Sequence, residues 1–400
     1  MTQESGRSDV PIAAVRLVAA AVAEGAVPGA VLAVGRGRAR ARPLPWMLYC
    51  AGRTRVGPEG RAVTADTIFD LASLTKVVAT TPCVLRLADA GELDLDAPIV
   101  RYLPEFGRSD RRAEVTPRHL LTHTSGLPAH RLLYELPGGL ERRRAAVFAE
   151  PLATPPGTSV CYSDLGYILL GEIVAKLTGT SLDAAARELV FDPLGMAETG
   201  YLPTAPPERY AATEPRPDTG LARIGAVHDE NAEALGGVAG HAGVFGTVGD
   251  LVRYLRDGWL AEDSPILTPR IRREALRCQT AAAGDGHRGL GWTLAGDRWD
   301  HMTAAWPHGR AGHTGFTGTS LALDPVGGLW TVLLTNAVHL GRDHSGIIAL
   351  RRTVHAAVAA WAAATDLGGN ASGSTDADTV TRPCTPVAGY DRAVEIQGDR

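Results

Sequence analysis

The stretch Asp70-Leu71-Ala72-Ser73-Leu74-Thr75-Lys76 decides how this chain is read. Lys76 is one of only two lysines, with Lys176, among 40 basic residues. A guanidinium stays protonated, whereas a desolvated ammonium can release its proton and act as a base. An amine kept in an arginine-crowded chain therefore points to chemistry. Residues three apart on a helix share a face, so Ser73 Oγ and Lys76 Nζ are expected within hydrogen-bond reach. Serine is a poor nucleophile until its proton is taken, and a lysine of lowered pKa is one way to take it.

Working outward, apolar spacing stays helical from Ser73 to about Ala90, with Pro82 expected to kink the helix and Gly91 to stop it. Upstream, Ile12, Val15, Val18 and Val22 form a helical stripe between Pro11 and Gly25. Residues 30–34 and 46–50 read as two strands with a long connection. Between about 95 and 285, helical patches around Ala146 and over 165–177, 182–189, 250–260 and 269–278 alternate with Gly- and Pro-rich loops. Strand signals return at 319–323 and 329–334, on either side of the turn Asp324-Pro-Val-Gly-Gly328, and a helix over 345–363 follows.

Strands at both ends and helices between them predict an α+β protein whose antiparallel sheet is built from its N- and C-terminal segments. Residues 10–75 plus 285–364 are expected to form an α/β sheet domain and 76–284 a mainly helical subdomain, with the site in the groove between them. Residues 365–400, rich in Gly, Ser, Thr and Asp before turning irregular, read as a mobile tail or appended segment.

Composition narrows the function classes. With 45% hydrophobic and 21% charged residues the chain is an ordinary globular one. A formal charge of -4 supplies no basic field for nucleic acid or an anionic membrane, so neither is expected as a partner. The arginine runs at 38–42 and 142–144 read as solvated faces or loops. No run of about 18 uncharged apolar residues appears. The N-terminal stretch has no apolar signal region, since 12–23 is broken by Arg16, which predicts a cytoplasmic protein. The five scattered cysteines fit reduced thiols. No H-E-x-x-H, zinc-ligand spacing or phosphate loop is present, so no metal and no cofactor are expected.

Two more segments carry chemistry: Cys161-Tyr162-Ser163-Asp164-Leu165-Gly166 before a helix, and Gly312-His313-Thr314-Gly315-Phe316-Thr317-Gly318 opening the late hairpin. With Ser73-x-x-Lys76 they resemble the three signature elements of the penicillin-recognising serine enzymes, in the class C β-lactamase-like branch that also holds family VIII esterases, D-aminopeptidases and some acyltransferases. The resemblance spans about residues 10–360 and is reinforced by Leu120-Leu-Thr-His123-Thr-Ser-Gly126-Leu and Gly240-His241-Ala-Gly243-Val-Phe.

The resemblance implies a β-lactamase/transpeptidase-like fold and a covalent acyl-enzyme. Ser73 would attack a carbonyl, Lys76 and Tyr162 would share the base and acid work, and the Lys76 ammonium would help the phenol lose its proton. The backbone N–H groups of Ser73 and Phe316 would hold the oxyanion, with Asp164, His313, Thr314 and Gly315 supporting the site or binding substrate. His123 and His241 read as structural, and the segment 227–231 equally as a groove wall or a polar turn.

Two positions depart from the family pattern. Asp164 replaces the usual asparagine, which favours a protonated Lys76 and leaves Tyr162 as the base. His313 stands where β-lactamases carry lysine, and family esterases often have His there; it is expected to offer a weaker, pH-dependent charge. The predicted function is a serine acyl-enzyme hydrolase acting on an ester, lactone or amide bond of a small-molecule acyl donor. The alternative is a β-lactamase-like transacylase of specialised metabolism that passes the acyl group to an amine or alcohol. Oligomeric state stays open.

Overall fold

A computed structural model describes residues 10–37, 46–107, 110–283, 286–306, 310–369 and 395–397. Its strands are β1 (Gly29–Arg36), β2 (Trp46–Gly52), β3 (Phe69–Asp70), β4 (Phe245–Gly246), β5 (Thr293–Leu294), β6 (Ala311–Thr314), β7 (Ser320–Leu323), β8 (Leu329–Thr335) and β9 (Glu395–Gln397). The α-helices are α1 (Ile12–Ala23), α2 (Thr81–Asp89), α3 (Pro117–Leu121), α4 (Leu140–Ala149), α5 (Asp164–Thr178), α6 (Leu182–Ala186), α7 (Glu230–Ala234), α8 (Val248–Arg253), α9 (Pro269–Ala275) and α10 (Ser345–Gly369).

Seven antiparallel strands form the main sheet in the order β5-β6-β7-β8-β1-β2-β9. β1 pairs with β8 from Ala30 opposite Thr335 to Arg36 opposite Leu329, joining the two ends of the chain as expected. β1 is buried on both faces because successive side chains alternate sides. Ala30, Leu32 and Val34 enter one core with α1 and α10, while Val31 and Ala33 enter the larger core under the helical part. The β7–β8 connection is the expected turn, closed by Asp324, whose carboxylate accepts from the N–H groups of Val326 and Gly327.

Two expectations change. The tail past 365 is not wholly an appendage: α10 continues to Gly369, and residues 395–397 pair with β2 as the edge strand. Pro82 lies in the first turn of α2 rather than inside one continuous α-helix. The turn ahead of it, Lys76–Thr80, widens so that Thr81 N–H donates to the Lys76 carbonyl, which makes room for the proline ring and its missing donor. In addition, the short strands β3 and β4 pair just ahead of Ser73.

Of the arginine runs, Arg143 caps the Ala234 carbonyl and Arg144 pairs with Glu172, while 38–42 lies outside the described residues. α10 is long and apolar enough to cross a membrane by length and composition over Ser345–Thr365. Its Ile347, Leu350, Val354 and Val358 are buried in the sheet core.

Candidate active site

Ser73 follows a strained corner. Ala72 has φ +46°, a left-handed conformation that costs a residue with a Cβ and persists only where neighbours hold it. Here the Asp70 carboxylate accepts from the Ala72 N–H at 2.8 Å and from the His228 N–H at 2.7 Å. The next three amides, of Leu74, Thr75 and Lys76, each donate to the carbonyl three residues back. In such a turn residues i and i+3 eclipse, so Lys76 stands directly over Ser73.

Lys76 is fully buried. Its Nζ donates to Ser73 Oγ at 2.9 Å and to the His241 carbonyl at 3.1 Å, and lies 2.8 Å from Asp164 Oδ1. Burial pushes the ammonium toward neutrality, but the Asp164 carboxylate and then Tyr162 outweigh it, and the net shift is upward. The opening idea of a desolvated amine that sheds its proton is thereby corrected. Opposite charge at contact distance overcomes desolvation, and Lys76 is a held cation.

Tyr162 enters from the segment before α5. Ser163 caps that helix, accepting from Gly166 N–H while its hydroxyl donates to the Pro128 carbonyl. The Tyr162 ring centroid is 4.9 Å from Lys76 Nζ, 4.4 Å from the His123 ring and 6.1 Å from the His313 ring. Ser73, Lys76, Tyr162, Asp164 and His313 are therefore brought together.

The β6–β7 turn is clamped against the strand that leads to Ser73. Thr317 Oγ1 donates to the Asp70 carbonyl at 2.7 Å and Thr319 Oγ1 to the Leu71 carbonyl at 3.2 Å. Gly315 is required at this crossing, because a Cβ there would collide with Leu71 O and Thr319 Oγ1. Among the described residues, the N–H groups of Ser73 and Phe316 donate to nothing. Free amides on either side of the clamp can receive a developing oxyanion. Thr314 ends β6, half-buried, and its carbonyl accepts from His313 Nδ1–H at 2.9 Å.

The burial of His313, against the opposing pull of that bond, corrects its reading as a pH-dependent charge. Burial, then Lys76 and Arg288, hold it well below the usual histidine range, so it is neutral at neutral pH. His123 is structural as expected, but closer to the chemistry: its Nδ1 accepts from Ser163 N–H at 3.0 Å, locating Tyr162. His241 lends its carbonyl to Lys76, and its Nε2 lies 2.9 Å from Asp229. The 227–231 segment is anchored rather than free: His228 N–H donates to Asp70 and Asp229 lies against His241.

The sequence reading missed Arg288. It is buried, with Nε 3.2 Å from Asp297, Nη1 donating to Thr293 Oγ1 and its guanidinium carbon 5.8 Å from the Tyr162 ring centroid. The available signal was a charged residue opening the apolar segment Arg288-Gly-Leu-Gly-Trp292.

A pH dependence of stability arises here. Burial holds His123, His313 and His355 well below the ordinary value and His301 at about 4. In the unfolded chain each takes up a proton near pH 6.5, so stability is full above that pH and falls as pH drops toward the folded values. Each histidine contributes a slope of up to about 1.4 kcal/mol per pH unit. Urea midpoints are expected to fall from pH 7 to pH 5, and a flat profile would contradict the neutral burial of these rings.

With the geometry in place, comparison with known proteins decides the family. The beta-lactamase family model matches residues 14–355. This chain belongs to the beta-lactamase family. Esterase EstB of Burkholderia gladioli is 33% identical over 338 residues, covering 74% of this chain and 84% of EstB. The unliganded structure of simvastatin synthase (LovD) from Aspergillus terreus superposes with a TM-score of 0.68 at 23% identity, covering 88% of this chain and 98% of that one. EstCE1, described as a hydrolase with promiscuous acyltransferase activity, gives a TM-score of 0.68 at 22% identity, with 87% and 98% covered. As a member of this family, the chain is a serine β-lactamase-like hydrolase, and the solved structures show its β-lactamase/transpeptidase-like fold.

Proposed function

We propose that this family member is an esterase-type hydrolase of small-molecule ester, lactone or amide bonds, with Ser73 as nucleophile, Tyr162 as base and Lys76 as the cation between them. One observation carries the reading: Lys76 Nζ touches Ser73 Oγ at 2.9 Å while Asp164 holds it at 2.8 Å. An amine so paired is a poor proton acceptor, which leaves the neighbouring phenol. The neutral His313 supports an esterase over a β-lactamase, since it offers no fixed charge to a substrate carboxylate.

In this reading the Tyr162 phenolate takes the Ser73 proton as Oγ bonds to the substrate carbonyl carbon and the carbonyl π pair moves to oxygen. The N–H groups of Ser73 and Phe316 receive that oxyanion. Collapse expels the leaving group, which collects the proton from Tyr162. Water then repeats the sequence on the acyl-enzyme and frees the acid. Intact-protein mass after exposure to p-nitrophenyl butyrate or a fluorophosphonate tests it: a single adduct on Ser73 is expected, and unmodified folded protein with every donor would refute it.

Asp164→Asn restores the family's usual residue and removes the carboxylate that keeps Lys76 charged. Burial then draws the ammonium toward neutrality, so the alkaline limb of the kcat/KM profile is expected at lower pH than in the parent. An unmoved limb would show that Asp164 does not set the charge of Lys76.

A second reading, transfer of the acyl group to an amine or alcohol, draws support from EstCE1, whose description joins both activities on this fold. Acyl donor plus candidate acceptors, followed by mass spectrometry, separates the two. A coupled product outpacing hydrolysis favours transfer.

A further inference from the structure

Arg351 sits on α10, beneath the turn whose N–H faces the reacting carbonyl in the reading above. It is buried, and among the described residues it forms no ion pair with a carboxylate. Burial lowers its pKa to about 9, which leaves it cationic at neutral pH. Isolated buried charge is expensive, and proteins that retain it gain something specific in return. Two bonds show where this one is directed: Nη2 donates to the Gly315 carbonyl at 2.6 Å and to the Thr319 carbonyl at 2.8 Å.

The Gly315 carbonyl belongs to the same peptide unit as the Phe316 N–H. That unit is planar and trans, so its C=O and N–H point in opposite directions. Fixing the oxygen toward α10 fixes the hydrogen toward the opposite side. The Gly315 carbonyl also accepts from Gly318 N–H at 3.1 Å, and Gly315 N–H donates to the Thr319 carbonyl at 2.8 Å, so Arg351 gathers both ends of one tight turn. A charge-assisted bond to the oxygen further polarises the amide and makes its N–H a better donor.

We propose that Arg351 is a positioning residue for acyl transfer: from behind the β6–β7 turn it holds the Gly315 carbonyl and so aims the Phe316 N–H at the oxyanion. The proposal rests on the reading of Ser73 as nucleophile and Phe316 N–H as oxyanion donor. His301, His344 and His355, its titratable neighbours, are all held below the ordinary histidine value by burial first. They therefore leave Arg351 as the local charge at neutral pH.

The test uses the full chain with Arg351→Met, which removes charge and donors, and Arg351→Gln, which keeps an N–H donor without charge. Active sites are counted by fluorophosphonate mass shift, and turnover of p-nitrophenyl butyrate is expressed per labelled site. Removing an oxyanion donor outright costs about 10²–10³ in kcat. Misaiming one is expected to cost roughly 10–100-fold in Arg351→Met, with KM within about threefold and a smaller loss in Arg351→Gln. Affinity for phenylboronic acid, which forms a tetrahedral adduct on serine, is expected to fall in step with kcat.

A residue that only stabilises the fold would lower the melting temperature and leave kcat per labelled site and boronate affinity unchanged; that result overturns the proposal. If Arg351→Met does not fold, Arg351→Gln decides on the same two readouts. A parent chain that no probe labels at Ser73 overturns the underlying reading and this proposal with it, whereas a labelled parent with unaffected variants overturns this proposal alone.

Discussion

Ser73→Ala is expected to abolish turnover, by at least about 10⁴-fold in kcat, because in the proposed mechanism it removes the atom that carries the acyl group. Folding should survive. Ser73 is half-buried, and Lys76 keeps Asp164 and the His241 carbonyl when the hydroxyl is gone. The expected melting temperature is close to the parent's, since no cavity of consequence opens and no charge loses all its partners. The decisive measurement is intact mass after p-nitrophenyl butyrate: an adduct on the parent and none on the variant. An adduct of equal size on both would move the nucleophile elsewhere.

Tyr162→Phe carries the second large effect. It deletes one oxygen and keeps the ring that packs on His123 at 4.4 Å and under Lys76, so stability should change little. Positioned acid–base groups contribute about 10²–10⁴-fold, and in the proposed mechanism one group serves both half-reactions. A fall of roughly 10³ in kcat is therefore expected, with acylation of Ser73 by a fluorophosphonate slowed in parallel. If Tyr162→Phe keeps a rate within tenfold of the parent while Lys76→Met loses it, the base is Lys76 and the Asp164 pair has been misread. The two substitutions thus separate the nucleophile from the base by measurements that share one substrate.

Much of the fold was legible because it is written in short-range pattern. The alternation in β1 and β8, the turn residues at Asp324–Gly328 and the helical spacing after Ser73 each record a local conformational preference. The spacing of Ser73 and Lys76 was legible for the same reason, although the turn that aligns them is tighter than an α-helix. Tyr162 and the turn at Phe316 needed the resemblance, because nothing in either segment alone says that it meets Ser73. Pro82 was read as interior to one helix, whereas it lies in the first turn of α2 behind a widened turn that accommodates its missing donor. Arg288 and Arg351 escaped notice because a sequence crowded with arginines does not say which ones lie inside.

Residue order by itself determined the family, the α+β architecture with its sheet shared by both ends of the chain, and the side chains available for acyl chemistry. Tertiary structure alone decided their states. Lys76 keeps its proton because Asp164, 88 positions away, stands against it. His313 is neutral because the fold seals it from water, and the Phe316 amide is free because the turn around it is held from α10 and from β3. Periodicity and turn chemistry are properties of neighbours along the chain. Protonation and donor direction depend on dielectric and charge, which are set by whatever segments folding brings within a few ångströms.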